Sequence, residues 1–162
     1  MPVTSVTNVE TLASLAVAAE AALDFTFGLE SCFSSELEFA QIAWSGKRAS
    51  FTRRSGEGAA VLDMSVERAR ACVAQVAALL VAEAEASDLE STATYFGSVR
   101  WTAVAPSCSG DASWSTSSPP PELVAQMLRE PSALTSHLAK LQTDVTFQLR
   151  DLFREVERAL RA

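Results

Sequence analysis

The sequence predicts an α+β fold, an antiparallel sheet of about five strands with helices packed on it, in the order α-β-β-β-α-β-β-α with a long C-terminal helix. Three observations carry this. Apolar spacing changes from three or four residues to two after Asp24, glycine-bearing turns at 45–47 and 55–58 punctuate the alternating runs, and Leu and Val return at near-heptad spacing at the C-terminal end. A chain of 162 residues is expected to fold as a single domain spanning 1–162, long enough to bury a real core.

Thr7 and Glu10 can form a capping box, and Val9, Leu12, Ala16, Ala19 and Leu23 then fall on one face, predicting a first helix over about 8–23. Phe25, Phe27 and Leu29 alternate, weakened as a strand by Gly28. A three-strand meander follows in ELEFAQIAW, RASFTRR and AAVLDMS, separated by Ser45-Gly46-Lys47 and Ser55-Gly56-Glu57-Gly58. Ser65 is an N-cap for a second helix, with Glu67 in its first turn and a stripe of Val66, Ala69, Val73, Val76 and Leu80. Residues 91–105 are rich in Thr, Val and aromatics and read as one or two strands. Residues 106–121, rich in Ser and Pro, read as a mobile exposed loop. A short helix over 122–129 is stopped by Pro131, and the last helix carries Leu134, Leu138, Leu141, Val145, Leu149, Leu152, Val156 and Leu160. The expected core is the stripe of the second helix against Leu37, Phe39, Phe51, Val61 and Met64.

Charge narrows the function classes. Twenty acids against thirteen Lys and Arg give a net charge of −7, and residues 1–46 hold six acids and no base. Such a chain is a poor ligand for nucleic acid, whose affinity comes from neutralising phosphates, and acidic membranes are disfavoured for the same reason. The apolar stretch 69–81 is far too short to span a bilayer. No Lys or Arg precedes Lys47, so a secretory n-region is missing and a cytoplasmic location is expected.

Site chemistry is sparse. Cys32, Cys72 and Cys108 lie too far apart in sequence for a zinc or redox pair, so neither a metal nor a cofactor is expected. His137, the sole imidazole, has no local Ser or Cys partner for a nucleophilic triad, and no phosphate-cradling glycine motif opens a helix. Glu36 and Glu38 share one side of a strand and are read as a solvated face rather than an acid–base pair, so no catalysis is expected. Lys47, Arg48, Arg53 and Arg54 form the one basic cluster, read as a charged strand edge that resists aggregation or as a counter-charge for an acidic partner. Large aromatics near strand ends and in loops, Phe25, Phe27, Phe33, Trp44 and Trp114, are the candidates for contact with a protein partner, with core packing the favoured reading for Trp44 and for Trp101. Trp114, set among Ser, Asp and Thr, has the least reason to be buried.

The order helix, three-strand meander, helix, strands, helix, with LEFAQIAW-SGK-RASFTRR-SGEG-AAVLDMS between the first two helices, resembles the class I chaperones of type III secretion. The 106–121 loop and the divided C-terminal helix depart from that family's pattern. The resemblance implies a cytoplasmic homodimer that holds an extended segment of a client protein without catalysis. Two apolar stripes also compete for one small sheet, which points to a dimer through Ala69, Cys72, Val73, Val76 and Leu80. The alternative is a structural subunit of a larger complex, assembled through the heptads of the last helix.

Overall fold

The computed structural model describes residues 3–7, 9–30, 35–56, 58–83, 94–115, 121–132 and 145–162. The fold is α+β, as the spacing predicts, and the described strands form one antiparallel sheet of seven. In chain order the elements are β1 (Val3–Thr7), a 3-10 turn (Val9–Thr11), α1 (Leu12–Leu15), β2 (Glu20–Glu30), β3 (Ser35–Ser45), β4 (Arg48–Ser55), β5 (Gly58–Met64) and α2 (Val66–Glu83). They continue with β6 (Thr94–Val104), β7 (Cys108–Ser115), α3 (Pro121–Arg129) and α4 (Val145–Arg161). The spatial order is β1-β7-β6-β2-β3-β4-β5, so β2 lies at the centre and β1 and β5 at the edges.

The meander is built as its turns require. Ser45 pairs with Arg48, leaving Gly46-Lys47 as a two-residue loop in which Gly46 takes φ 63, a conformation glycine adopts without steric cost. The Arg68 backbone N–H donates to the Ser65 hydroxyl at 3.1 Å, so α2 is capped where the sequence places its start.

One face of the sheet is covered. Leu23, Phe25 and Phe27 of β2, Ile42 and Trp44 of β3, Phe51 of β4, and Val99 and Trp101 of β6 point into a single core with α1, α2 and α4. Phe153 of α4 stacks on Phe25 with centroids 4.9 Å apart and lies 6.4 Å from Phe51, while Phe147 meets Phe27 edge-on at 5.6 Å. These aromatic contacts fix the C-terminal helix across the middle of the sheet.

Four expectations are corrected. Helix spacing over 8–23 yields only the 3-10 turn and one helical turn, and β2 begins at Glu20. Over all eleven residues β2 pairs with β3 on one side and β6 on the other, and this long-range ladder overrides the local helical period. Residues 108–115 are not loop but β7, paired to both β6 and β1. Gly110 and Ala112 occupy the inward positions, beneath the 3-10 turn and α1, and Ser109, Asp111 and Ser113 face out, so the period of two is carried between Cys108 and Trp114 by residues too small to mark it. Leu37, Phe39 and Val61 are exposed and leave the core; the inward set of β3 is Glu38, Ala40, Ile42 and Trp44. Finally, Ala69, Cys72, Val73, Val76 and Leu80 are buried within the chain itself. A seven-stranded sheet has room for the stripes of both α2 and α4, which a five-stranded sheet lacks, so the α2 stripe is not left open to a second chain. Leu149 of α4 is buried, and Leu152, Val156 and Leu160 pack partly against the same core. Leu134, Leu138 and Leu141 lie outside the described residues.

Candidate functional site

The second face of the sheet is uncovered by any described element, and its register can be read strand by strand. One row across it runs Asp111, Arg100, Asp24, Gln41, Thr52 and Val61 from β7 to β5. The next runs Ser113, Ser98, Thr26, Phe39 and Arg54. Small hydroxyl side chains make the middle of this face a shallow trough lined by Thr26, Thr52, Ser98 and Ser113. The Gln41 amide donates to the Asp24 carboxylate at 2.8 Å, which orders the centre of the first row.

One end of the trough is apolar. Phe96 of β6 stands opposite Gly28 of β2, and Leu37 of β3 is the neighbour of Gly28 on the other side. A Cβ placed on Gly28 would come within 2.1 Å of the Phe96 ring, so the ring packs into the space that only a glycine leaves open. Leu37, Phe39 and Phe96 are 50%, 38% and 45% exposed, which makes them the apolar contribution of this end to solvent. The Arg54 guanidinium sits 5.8 Å over the Phe39 ring and caps the patch with positive charge.

The covered face ends in an ionic clasp between β3, β4 and α4. Glu36 and Glu38 do share one side of their strand, but that side faces α4, which buries Glu38 and leaves Glu36 about one third exposed. Arg154 donates to Glu38, with one Nε contact at 3.1 Å, and to Glu36 at 3.4 Å; Arg53 donates to Glu38 at 3.1 Å and to Glu157. Arg150 reaches Glu36 at 3.3 Å and stacks over the Phe27 and Phe147 rings at 5.3 and 4.9 Å. Glu157 accepts from Arg161 one turn away at 3.1 Å. Burial works against the carboxylate of Glu157, yet the hydrogen bonds and charges of Arg53 and Arg161 outweigh it and hold its carboxyl below the usual glutamate value. Burial likewise disfavours the Arg154 cation, and its hydrogen bond to Glu38 with the charges of Glu38, Glu36 and Asp151 more than offsets this and pushes it up. These charge-assisted bonds tie α4 to both β3 and β4, so the cluster fastens the helix to the sheet.

The basic hairpin is thereby divided. Arg53 faces inward and is consumed by the clasp, Arg54 faces the open trough, and β4 is flanked by β5 rather than forming an edge. Helical spacing could have revealed the clasp, because Arg150, Arg154, Glu157 and Arg161 follow one another at four, three and four residues and make a charged stripe beside Phe147 and Phe153.

Of the five aromatics named as partner candidates, Phe25 and Phe27 are buried core residues, and Trp44, like Trp101, packs in the core as its favoured reading has it. Strand parity puts them under the helices, where the Trp44 indole N–H donates to the Ala18 carbonyl at 3.0 Å. Phe33 lies outside the described residues, and Trp114 sits in β7 opposite Thr4 and Gly97. The exposed aromatics that the sequence reading missed are Phe39 and Phe96. Cys72 is buried on the inner face of α2, and burial, opposed by the charge of Arg68, pushes its thiol up to about 12. Among the described residues no three His, Cys, Asp or Glu side chains gather as metal ligands, and no helix is long and apolar enough to cross a membrane. No protein-family model matches the chain, and no curated protein matches it significantly.

Proposed function

We propose that this chain is a non-catalytic, cytoplasmic binding protein that holds an extended segment of a client protein in the open trough of its sheet, as the secretion chaperones it resembles would. The observation that carries this reading is the uncovered sheet face with Leu37, Phe39 and Phe96 exposed at one end. Apolar side chains of a client bury against that patch, and each contributes roughly 25 cal/mol per Å² removed from water. Beyond it, the hydroxyls of Thr26, Thr52, Ser98 and Ser113 both donate and accept, so they can satisfy the backbone of an extended segment with little regard to its sequence. Charges on the trough balance, Asp24 and Asp111 against Arg54 and Arg100, which offers a nucleic-acid backbone no net attraction. A subunit built through the last helix has less surface to use, since α4 spends Leu149 and Phe153 on its own core.

The test is a fluorescence-anisotropy screen of an array of labelled unstructured peptides of varied composition, repeated with Phe39→Ser and Phe96→Ser. The reading expects apolar-rich peptides to bind and both variants to weaken them by about tenfold or more, close to 1.4 kcal/mol. Binding that neither variant alters, or no binding across the array, refutes it.

A further inference from the structure

Strand β5 offers a second surface, independent of the trough. Among the described residues its outer edge has no strand beside it, and its sequence GAAVLDM carries neither Lys nor Pro. Natural edges are usually guarded by such residues, by charge or by cover, because unpaired N–H and C=O groups template pairing with another chain. The opposite edge, β1, is two residues shorter than the seven of β5 and follows Pro2, which has no N–H to donate. On β5, Val61 stands 72% exposed at the middle of the strand.

We infer that β5 pairs antiparallel with β5 of a second copy about a twofold axis through Val61, joining the two sheets edge to edge. The strand is self-complementary in that register. Val61 meets its own copy, Ala60 lies opposite Leu62 on the helix-covered side, and Ala59 lies opposite Asp63 on the open side, so every one of the seven residues is used. Directly opposed like charges destabilise a strand pair, and here the single charge of the strand faces alanine. Moving the axis one position keeps the faces matched but shortens the ladder, and moving it to Asp63 sets two carboxylates against each other. The axis runs perpendicular to the sheet, so both troughs open on the same side of the dimer.

Light scattering across a dilution series, with circular dichroism as the check on folding, tests this on the whole chain. The native protein should be a dimer at tens of micromolar, and Val61→Lys, at a position already in solvent, should stay folded and dissociate at least about tenfold more readily. Val61→Asp should behave alike, and mixing the two variants should restore a heterodimer through the opposed charges at the axis. A native monomer at that concentration overturns the inference, as does a Val61→Lys dimer of unchanged affinity. Two variants that are each monomeric but do not recombine overturn the register. None of these results bears on peptide binding in the trough, so the two proposals fail separately.

Discussion

Glu38→Ala is the sharpest perturbation of the clasp. The Glu38 side chain is 8% exposed and accepts from both Arg53 and Arg154. Removing one partner of a buried ion pair typically costs roughly 3–5 kcal/mol, mostly from the charge left without a counterion. Two features reduce this. Arg154 is about one third exposed and keeps Glu36, and Arg53 keeps Glu157, so neither cation is stranded. The expected loss is therefore about 2–3 kcal/mol. Urea denaturation reads it as a fall in midpoint with the slope unchanged, since the surface exposed on unfolding hardly differs. A double-mutant cycle with Arg154→Ala should show a clear coupling between the two residues, because each loses the same contact. Acid should act in the same direction. Glu157 has a folded-state value below its unfolded value near 4.5, so its contribution is complete above that pH and is lost as pH falls through the folded value. A loss below about 0.5 kcal/mol for Glu38→Ala would refute the reasoning, because that is the scale of an exposed pair and not of a fastening under a helix.

Two further outcomes follow from packing. With the Phe96 ring packed against Gly28, the Gly28 Hα resonances should be displaced from ordinary glycine values by the ring current, and Phe96→Leu should return them in the proton spectrum; unshifted resonances in the native protein would remove the ring from that place. Cys72, buried and with its thiol pushed up to about 12, should resist a thiol-specific disulfide reagent at neutral pH in the folded protein of a variant retaining only this cysteine, and react on addition of denaturant. Rapid labelling of the native variant would show that α2 does not stay seated.

Much of the architecture is legible without coordinates because it is local. A glycine turn, a Ser N-cap, a proline stop and runs of alternating residues declare themselves within a few positions, which is why the β3–β4–β5 meander, α2, α3 and the strand in 94–104 were readable from the sequence. The candidate site was less so. In β3, Leu37 and Phe39 on one parity and Ile42 and Trp44 on the other both look apolar, and only the helices overhead decide which set is core. Glu36 and Glu38 bias a reader toward a wet face, and three arginines from β4 and α4, distant in sequence, make the opposite choice tolerable.

The sequence by itself determined the fold class, the two glycine turns of the meander, the Ser65 cap and the approximate ends of β3, β4, β5 and α3, since these depend on backbone preference and on spacing within one element. The tertiary structure alone decided that residues 20–24 join a central strand, that Ser109 to Ser113 lie on a sheet, and which face of that sheet remains open. Each of these rests on hydrogen-bond ladders and contacts between residues tens of positions apart, whose free energy exceeds the few tenths of a kcal/mol per residue, about the scale of local propensity, on which a sequence pattern is read.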